Sequence, residues 1–320
     1  MTTPPGQSAP ALPAPSPDVT IGLLLMVAAV LIAPFIDIFS KLATETTSPM
    51  EITAVRFLLQ MVFMLPIFVW RRRLPRFSMA NTGSHIARGG LIALSMVCYV
   101  TALSVMSVAD ALAIFFIEPI ILTILSSIFL KETIGWRRYS ACAVGFGGAL
   151  LIIQPTFEQV GFIALLPAVS ALCVAIFAIL TRRLAHREDP WSMQIETGFW
   201  GLVISLAAIA LFGRSMPATF APSLPDLTSM VWMTGVGLAA AVSGIFGVYA
   251  YRSAPASTLA PLQYLEIVTT TIFGWLVFRD FPDPIKWLGI AIIIGSGLFI
   301  IWRERRFSSK PVSENATLAP

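Results

Sequence analysis

Charge is scarce in this chain. Only 12% of its 320 residues are Asp, Glu, Lys or Arg, while 57% are hydrophobic. A soluble domain carries roughly a quarter charged residues, so a water-soluble surface of this size is not available to it. Histidine is rarer still. His85 and His186 are the two, both near basic residues at the ends of apolar runs, where solvated side chains are expected. The three cysteines, Cys98, Cys142 and Cys173, fall inside apolar segments without CxxC or metal-ligand spacing, which reads as buried free thiols. There is no HExxH, GxSxG or P-loop signature and no Cys/His ligand cluster. No catalytic residue, metal or cofactor is therefore assigned, and a membrane-embedded enzyme lacks the polar cluster it would need. The net charge of +4 does not point to nucleic acid, because the basic residues gather at the ends of apolar runs, where a bilayer explains them.

Long uncharged runs are what the chain has instead. Residues 1–19 form a Pro-, Ala-, Ser- and Thr-rich tail with no Lys or Arg, expected to be disordered rather than a signal peptide. Ten apolar segments follow, each near the ~20 residues that cross a bilayer. They lie near Ile21–Lys41, Glu51–Trp70, Ile86–Val105, Ala109–Leu130, Trp136–Ile153, Gly161–Leu180, Trp191–Phe212, Met230–Tyr251, Ala256–Phe278 and Pro284–Trp302. With the N-terminus inside, sixteen Lys and Arg fall on inner loops and tails and four on outer loops, so both termini are expected in the cytoplasm. Trp70, Trp136 and Trp302 stand beside inner arginines, as interfacial aromatics do.

The chain is organised around Ala254–Pro284, an apolar stretch with Glu266 in its middle, and that stretch has a twin. A shift of 148 positions lays Ala109–Ile153 over Ser257–Ile301 without a gap, so that Glu118 falls on Glu266. More weakly, Ser40-Lys41-Leu42-Ala43 matches Arg182-Arg183-Leu184-Ala185, and Pro49 matches Pro190. Five spans per copy is an odd number, so the copies enter the membrane in opposite senses. The expected fold is an all-α membrane protein of ten transmembrane helices, built as two five-helix inverted repeats over 20–154 and 160–303 with a cytoplasmic tail from 304. In such proteins the substrate site lies between the repeats near the midplane.

An ionisable side chain inside a span marks function by default. Glu266 shares a helix face with Gln263, Thr269 and Thr270, with Tyr264 beside it. Glu118 precedes Pro119, which kinks a helix and frees carbonyls. These acids are read as contacts for substrate or proton, with interhelical hydrogen bonding as the alternative. Asp110 faces the same way as Glu118 or simply caps its helix. Asp37 lines a cavity or pairs with Lys41 four residues on. Arg56 needs a partner on another helix, and Glu196 is one candidate. Tyr99, with Phe115, Phe116, Tyr249, Tyr251 and Tyr264, would favour a planar ring or a cation. Small residues recur every four positions at Gly235, Ala239, Ser243 and Gly247, and at Ala141, Gly145 and Ala149, where helices can approach closely.

Several phrases carry a family resemblance: Ala109–Glu132 ending in Ile-Phe-Leu-Lys-Glu, Pro255–Asp280 with Ala-Ser-Thr-Leu-Ala-Pro, Arg56-Phe57, and His85-Ile86-Ala87-Arg88-Gly89. They resemble the drug/metabolite transporter superfamily, in its ten-helix branch with two EamA domains. Lys131-Glu132 and Arg279-Asp280 depart from the Gly-Glu usual there. The segment Leu259–Pro284 is most similar to members that carry S-adenosylmethionine or riboflavin. The resemblance implies a secondary transporter of a small organic metabolite in a bacterial inner membrane, in contact with lipid. It also implies a homodimer contact through spans five and ten, with packing inside one bundle as the other reading of the span-five stripe. An exporter of amino acids or drug-like compounds, a channel and a non-transporting scaffold are the alternatives.

Overall fold

The computed structural model describes residues 19–71, 81–129, 136–185, 187–223, 225–254, 259, 262, 265–279, 284–285, 287–292, 294–296 and 299. Gln263, Tyr264, His186, the acidic-basic pairs at 131–132 and both tails lie outside them.

The described residues form helices and the turns that join them. The elements are α1 (Val19–Ala43), α2 (Pro49–Arg71), α3 (Thr82–Leu103), α4 (Val108–Phe115), α5 (Glu118–Phe129) and α6 (Trp136–Val160). A 3₁₀ turn (Gly161–Leu165) leads into α7 (Leu166–Ala185), α8 (Pro190–Phe212), the short α9 (Pro217–Phe220), α10 (Leu227–Ser253) and α11 (Leu265–Phe278). Seven stretches among the described residues are long and apolar enough to cross a membrane, and a shorter apolar helical stretch occupies Trp287–Ser296.

Local chemistry sets the ends. Pro49 and Pro190, paired in the sequence repeat, each open a helix at the position where a missing N–H costs nothing. Asp189 and Asp226 cap α8 and α10, their carboxylates accepting from the backbone N–H of Ser192 and Ser229 at 3.1 and 2.9 Å. Those bonds from Ser229 hold the Asp226 carboxyl below its ordinary pKa. The fourth expected span is two helices, broken at Phe116 and Ile117 ahead of Pro119, where Ile117 N–H turns back to Ile114 O at 3.3 Å. The fifth runs past its expected end at Ile153 to Val160. Polar residues there do not break a helix, and the turn comes instead at Gly161, whose φ of +64° suits glycine.

Helices on the two sides of residue 154 interleave. α1 packs on α10, α2 on α8, and α3 on both α7 and α8. In the small-residue stripe of α10, Gly235 and Ser243 face α1. Ser243 Oγ donates to Ala29 O at 3.1 Å, and a Cβ at Gly235 would come within 2.5 Å of the Phe39 ring. In α6, a Cβ on Gly145 would meet Ile120 and Ser296 and one on Gly148 would meet Ile292, so these two glycines pack inside the bundle. The outward faces carry leucine and valine, with Leu65 half exposed and Val69 and Trp70 more so, while polar side chains such as Gln60, Ser95, Glu196 and Arg88 are buried. That is the reverse of a soluble protein and is what a hydrocarbon solvent demands.

Candidate functional site

Asp37 lies six residues before the end of α1, and Arg56 seven residues into α2. Two antiparallel helices joined by a short turn put such residues at one depth. The structure sets them across a central chamber of about 550 Å³, its open mouth included. Asp37, Arg56, Tyr99 and Glu266 line it, with Ser95, Ser170, Phe115 and Ile92. Asp37 is the electrostatic partner of Arg56, which also lies 5.0 Å from the Phe57 ring centroid. Arg56 Nε and Nη1 are buried and find no hydrogen-bond acceptor among the described residues.

Tyr99 Oη donates to Asp37 Oδ2 over 3.5 Å, a long bond, and its ring meets Phe115 edge-on at 5.5 Å between centroids. Glu266, in the first turn of α11, is within electrostatic reach of Asp37, Tyr99 and Glu118. Glu118 opens α5 beside the proline break. It is buried, its Oε1 has no hydrogen-bond partner among the described residues, and it stands behind Glu266 rather than on the chamber wall. Thus one basic and two acidic side chains face one space, with a third acid in reserve.

Other expected residues went elsewhere. Asp110 sits on the first turn of α4, where its backbone N–H is capped by Ser107 Oγ at 3.1 Å, and it does not line the chamber. Lys41 reaches Met106 O at 2.7 Å and lies over the Phe278 ring rather than turning back to Asp37. Tyr249 Oη accepts from Trp191 Nε1 at 2.8 Å, and Phe116 is in the core. Gln263 and Tyr264 fall outside the described residues.

Glu196 does not partner Arg56. It belongs to a buried network that the sequence reading missed. His85 Nε2 is 2.8 Å from Glu188 Oε2 and 3.5 Å from Glu196 Oε2. Asn81 donates to Glu188 at 2.6 Å, and Arg88 donates to Thr181 Oγ1 at 3.2 Å and Met193 O at 3.3 Å. His85 and Arg88 are both fully buried, which corrects the expectation of solvated loop residues. The reason is visible in the fold: α3 begins at Thr82, so both face the packed side of a helix against α7 and α8. His85, Glu188 and Glu196 lie close enough to share a metal ion. Arg88 already supplies positive charge within reach of both carboxylates, so the donor set does not require one.

A second chamber of about 520 Å³ lies on the other side of Arg56 and Ile92, toward this network. Its walls include Gln60, Phe177, Thr181, Gln194, Thr197 and Tyr251. Polar mid-span residues in α2 and α8 were the available signal for Gln60 and Gln194.

Long apolar helices, lipid-facing apolar side chains and charges turned inward on a chamber define an integral membrane protein of the transporter class. The chain belongs to the EamA-like transporter family, whose sequence model matches residues 20–154 and 161–302. The family is one of transporters rather than enzymes. The chain is 32% identical over 227 residues to a riboflavin transporter of Rhizobium johnstonii, covering 71% of this chain and 72% of that protein. It is 27% identical over 276 residues to an S-adenosylmethionine uptake transporter of Rickettsia bellii, covering 86% and 91% respectively. A solved crystal structure matches with a TM-score of 0.68 at 16% identity, over 91% of this chain and 99% of its own, which shows the fold alone.

Proposed function

We propose that the chain is a secondary transporter that moves a small organic metabolite across a bacterial inner membrane by alternating access. It does so with ten spans in two inverted repeats and with both termini in the cytoplasm. The observation that carries the reading is the central chamber, where Asp37, Arg56, Tyr99 and Glu266 converge from four helices. Opposite charges held apart across a cavity suit a solute that carries both signs or a strong dipole, and the Tyr99–Phe115 pair suits a flat ring. Substrates of the relatives, riboflavin and S-adenosylmethionine, are the first to test. Glu266 and Glu118 are the acids able to exchange a proton or balance a cationic group.

Alternating access also needs a mouth that closes. The His85–Glu188–Glu196 contacts and the bonds from Arg88 join α3 to α7 and α8, across the boundary between the two matched halves. Thr181, which accepts from Arg88, also lines the second chamber, so rupture of these contacts during the transport cycle would reach that chamber. The homodimer contact through spans five and ten has no support in the packing of Gly145 and Gly148.

The test is uptake of radiolabelled riboflavin and S-adenosylmethionine into proteoliposomes holding the purified chain. Saturable uptake of either, with competition by the unlabelled solute, is expected. Flux that rises linearly without saturation would identify a channel, and uptake confined to ring-free solutes would overturn the substrate assignment.

A further inference from the structure

Gln60 on α2 and Gln194 on α8 are 3% and 5% exposed, and both line the second chamber. Gln60 makes one long bond, from Nε2 to the Gln194 backbone carbonyl at 3.4 Å. The Gln194 side-chain amide makes no hydrogen bond to a described residue. A primary amide offers two donors and two acceptor sites. Amide atoms left open to a chamber inside the protein are satisfied there by water or by a ligand. Two such amides in one cavity, with the rings of Phe177 and Tyr251 and the hydroxyls of Thr181 and Thr197 beside them, offer a ligand donors and acceptors between aromatic walls.

The backbone has made room for this arrangement. A Cβ on Gly244 of α10 would collide with Gln194 Nε2, so glycine there lets the amide lie flat against the helix. Among the described residues, Arg56 is the one charged side chain on the chamber wall. Its chemistry is that of paired donors and acceptors between aromatic walls. It therefore differs from the central chamber, which selects by charge.

We propose that Gln60 and Gln194 form a recognition subsite for a planar heterocycle whose edge carries neighbouring hydrogen-bond donors and acceptors, such as a cyclic imide or an aminopyrimidine ring. The ligand's charged part lies beyond Arg56, in the central chamber. This rests on the transporter reading and adds to it the class of ring that is recognised and the residues that read it.

The measurement is binding to the purified full chain in nanodiscs, by quenching of tryptophan fluorescence. The probes are riboflavin and its N3-methyl derivative, and adenine and N6,N6-dimethyladenine. Each methylated probe keeps the ring but blocks the edge. At least one unblocked ring is expected to bind at least tenfold more tightly than its blocked form. Gln194→Leu should weaken the unblocked ring about tenfold, converting ~1.4 kcal/mol per decade, and leave the blocked form nearly unchanged. Gly244→Ala, which displaces the same amide from another helix, should act in the same direction. Equal binding of blocked and unblocked rings would show that water alone satisfies the amides and would overturn the proposal. So would equal weakening of both forms by Gln194→Leu. If that variant fails to fold, the comparison of rings on the unaltered protein still decides. Binding by none of the four probes also overturns it, while saturable uptake of another solute would leave the transporter reading standing.

Discussion

At the scale of single residues, the chamber pairs groups that are expensive to place in a membrane. Glu266 faces it with Asp37 and Arg56, and Glu118 stands behind. Glu266→Gln keeps the shape and the hydrogen bonding but cannot ionise. If the acid carries a proton or balances a cation, this variant inserts normally yet transports poorly, with a flattened pH dependence. The check is initial rate per inserted molecule at several pH values. Rates and pH dependence equal to wild type would make the residue structural and pass the role to Glu118. Arg88 makes a different argument. Removing one member of a buried charged network costs ~3–5 kcal/mol, because its partners stay buried. Arg88→Leu should therefore lower the melting temperature in detergent by several degrees. An unchanged melting temperature would mean that the bonds to Thr181 and Met193 contribute nothing net.

At the scale of elements, two features position these residues. The break before Pro119 ends one helix and starts another with Glu118 in its first turn. Glu266 likewise stands in the first turn of α11. A helix start presents N–H groups and a positive dipole end, which favours an acid or an anionic ligand there. The second feature is the close seam between α1 and α10, which carries Asp37 to the chamber. Gly235→Leu should force that seam apart, since even a Cβ meets the Phe39 ring. Overpacking of this kind costs ~1–3 kcal/mol. Lower thermal stability together with slower transport is expected. Wild-type values for both would show that α1 shifts freely along α10.

For the whole molecule, the interleaving of helices from either side of residue 154 makes both described chambers shared ones. Neither matched half could hold the site alone, and relative movement of the halves reshapes both chambers at once. The proposed orientation is checked by a reporter fused after Arg306, which should be active only on the cytoplasmic side. An extracytoplasmic reporter would reverse the assignment of inner and outer mouths, with the His85–Arg88 network moving to the outside.

Composition alone determined that the chain lives in a membrane, because a bilayer rewards long uncharged runs wherever they fall in three dimensions. Repetition at 148 positions laid Glu118 over Glu266 in the sequence, and each stands in the first turn of its helix. The opposition of Asp37 and Arg56 was not read from the sequence, which offered Lys41 and Glu196 as their partners; the turn between α1 and α2 brings them to one chamber. What only the tertiary structure decided is which helices meet. Glu196 lies at a depth that suits several cations, and the packing of α8 against α3 gives it to His85 and Arg88 rather than to Arg56. Gln60 and Gln194 carry no charge and belong to no motif. Their importance appears only when α2 and α8 close around one cavity and leave the Gln194 amide without a partner among the described residues and the Gln60 amide with one long bond. Depth along a helix is written in the chain, one residue per 1.5 Å. Rotation about the helix axis and choice of neighbour depend on side-chain packing between segments far apart in sequence.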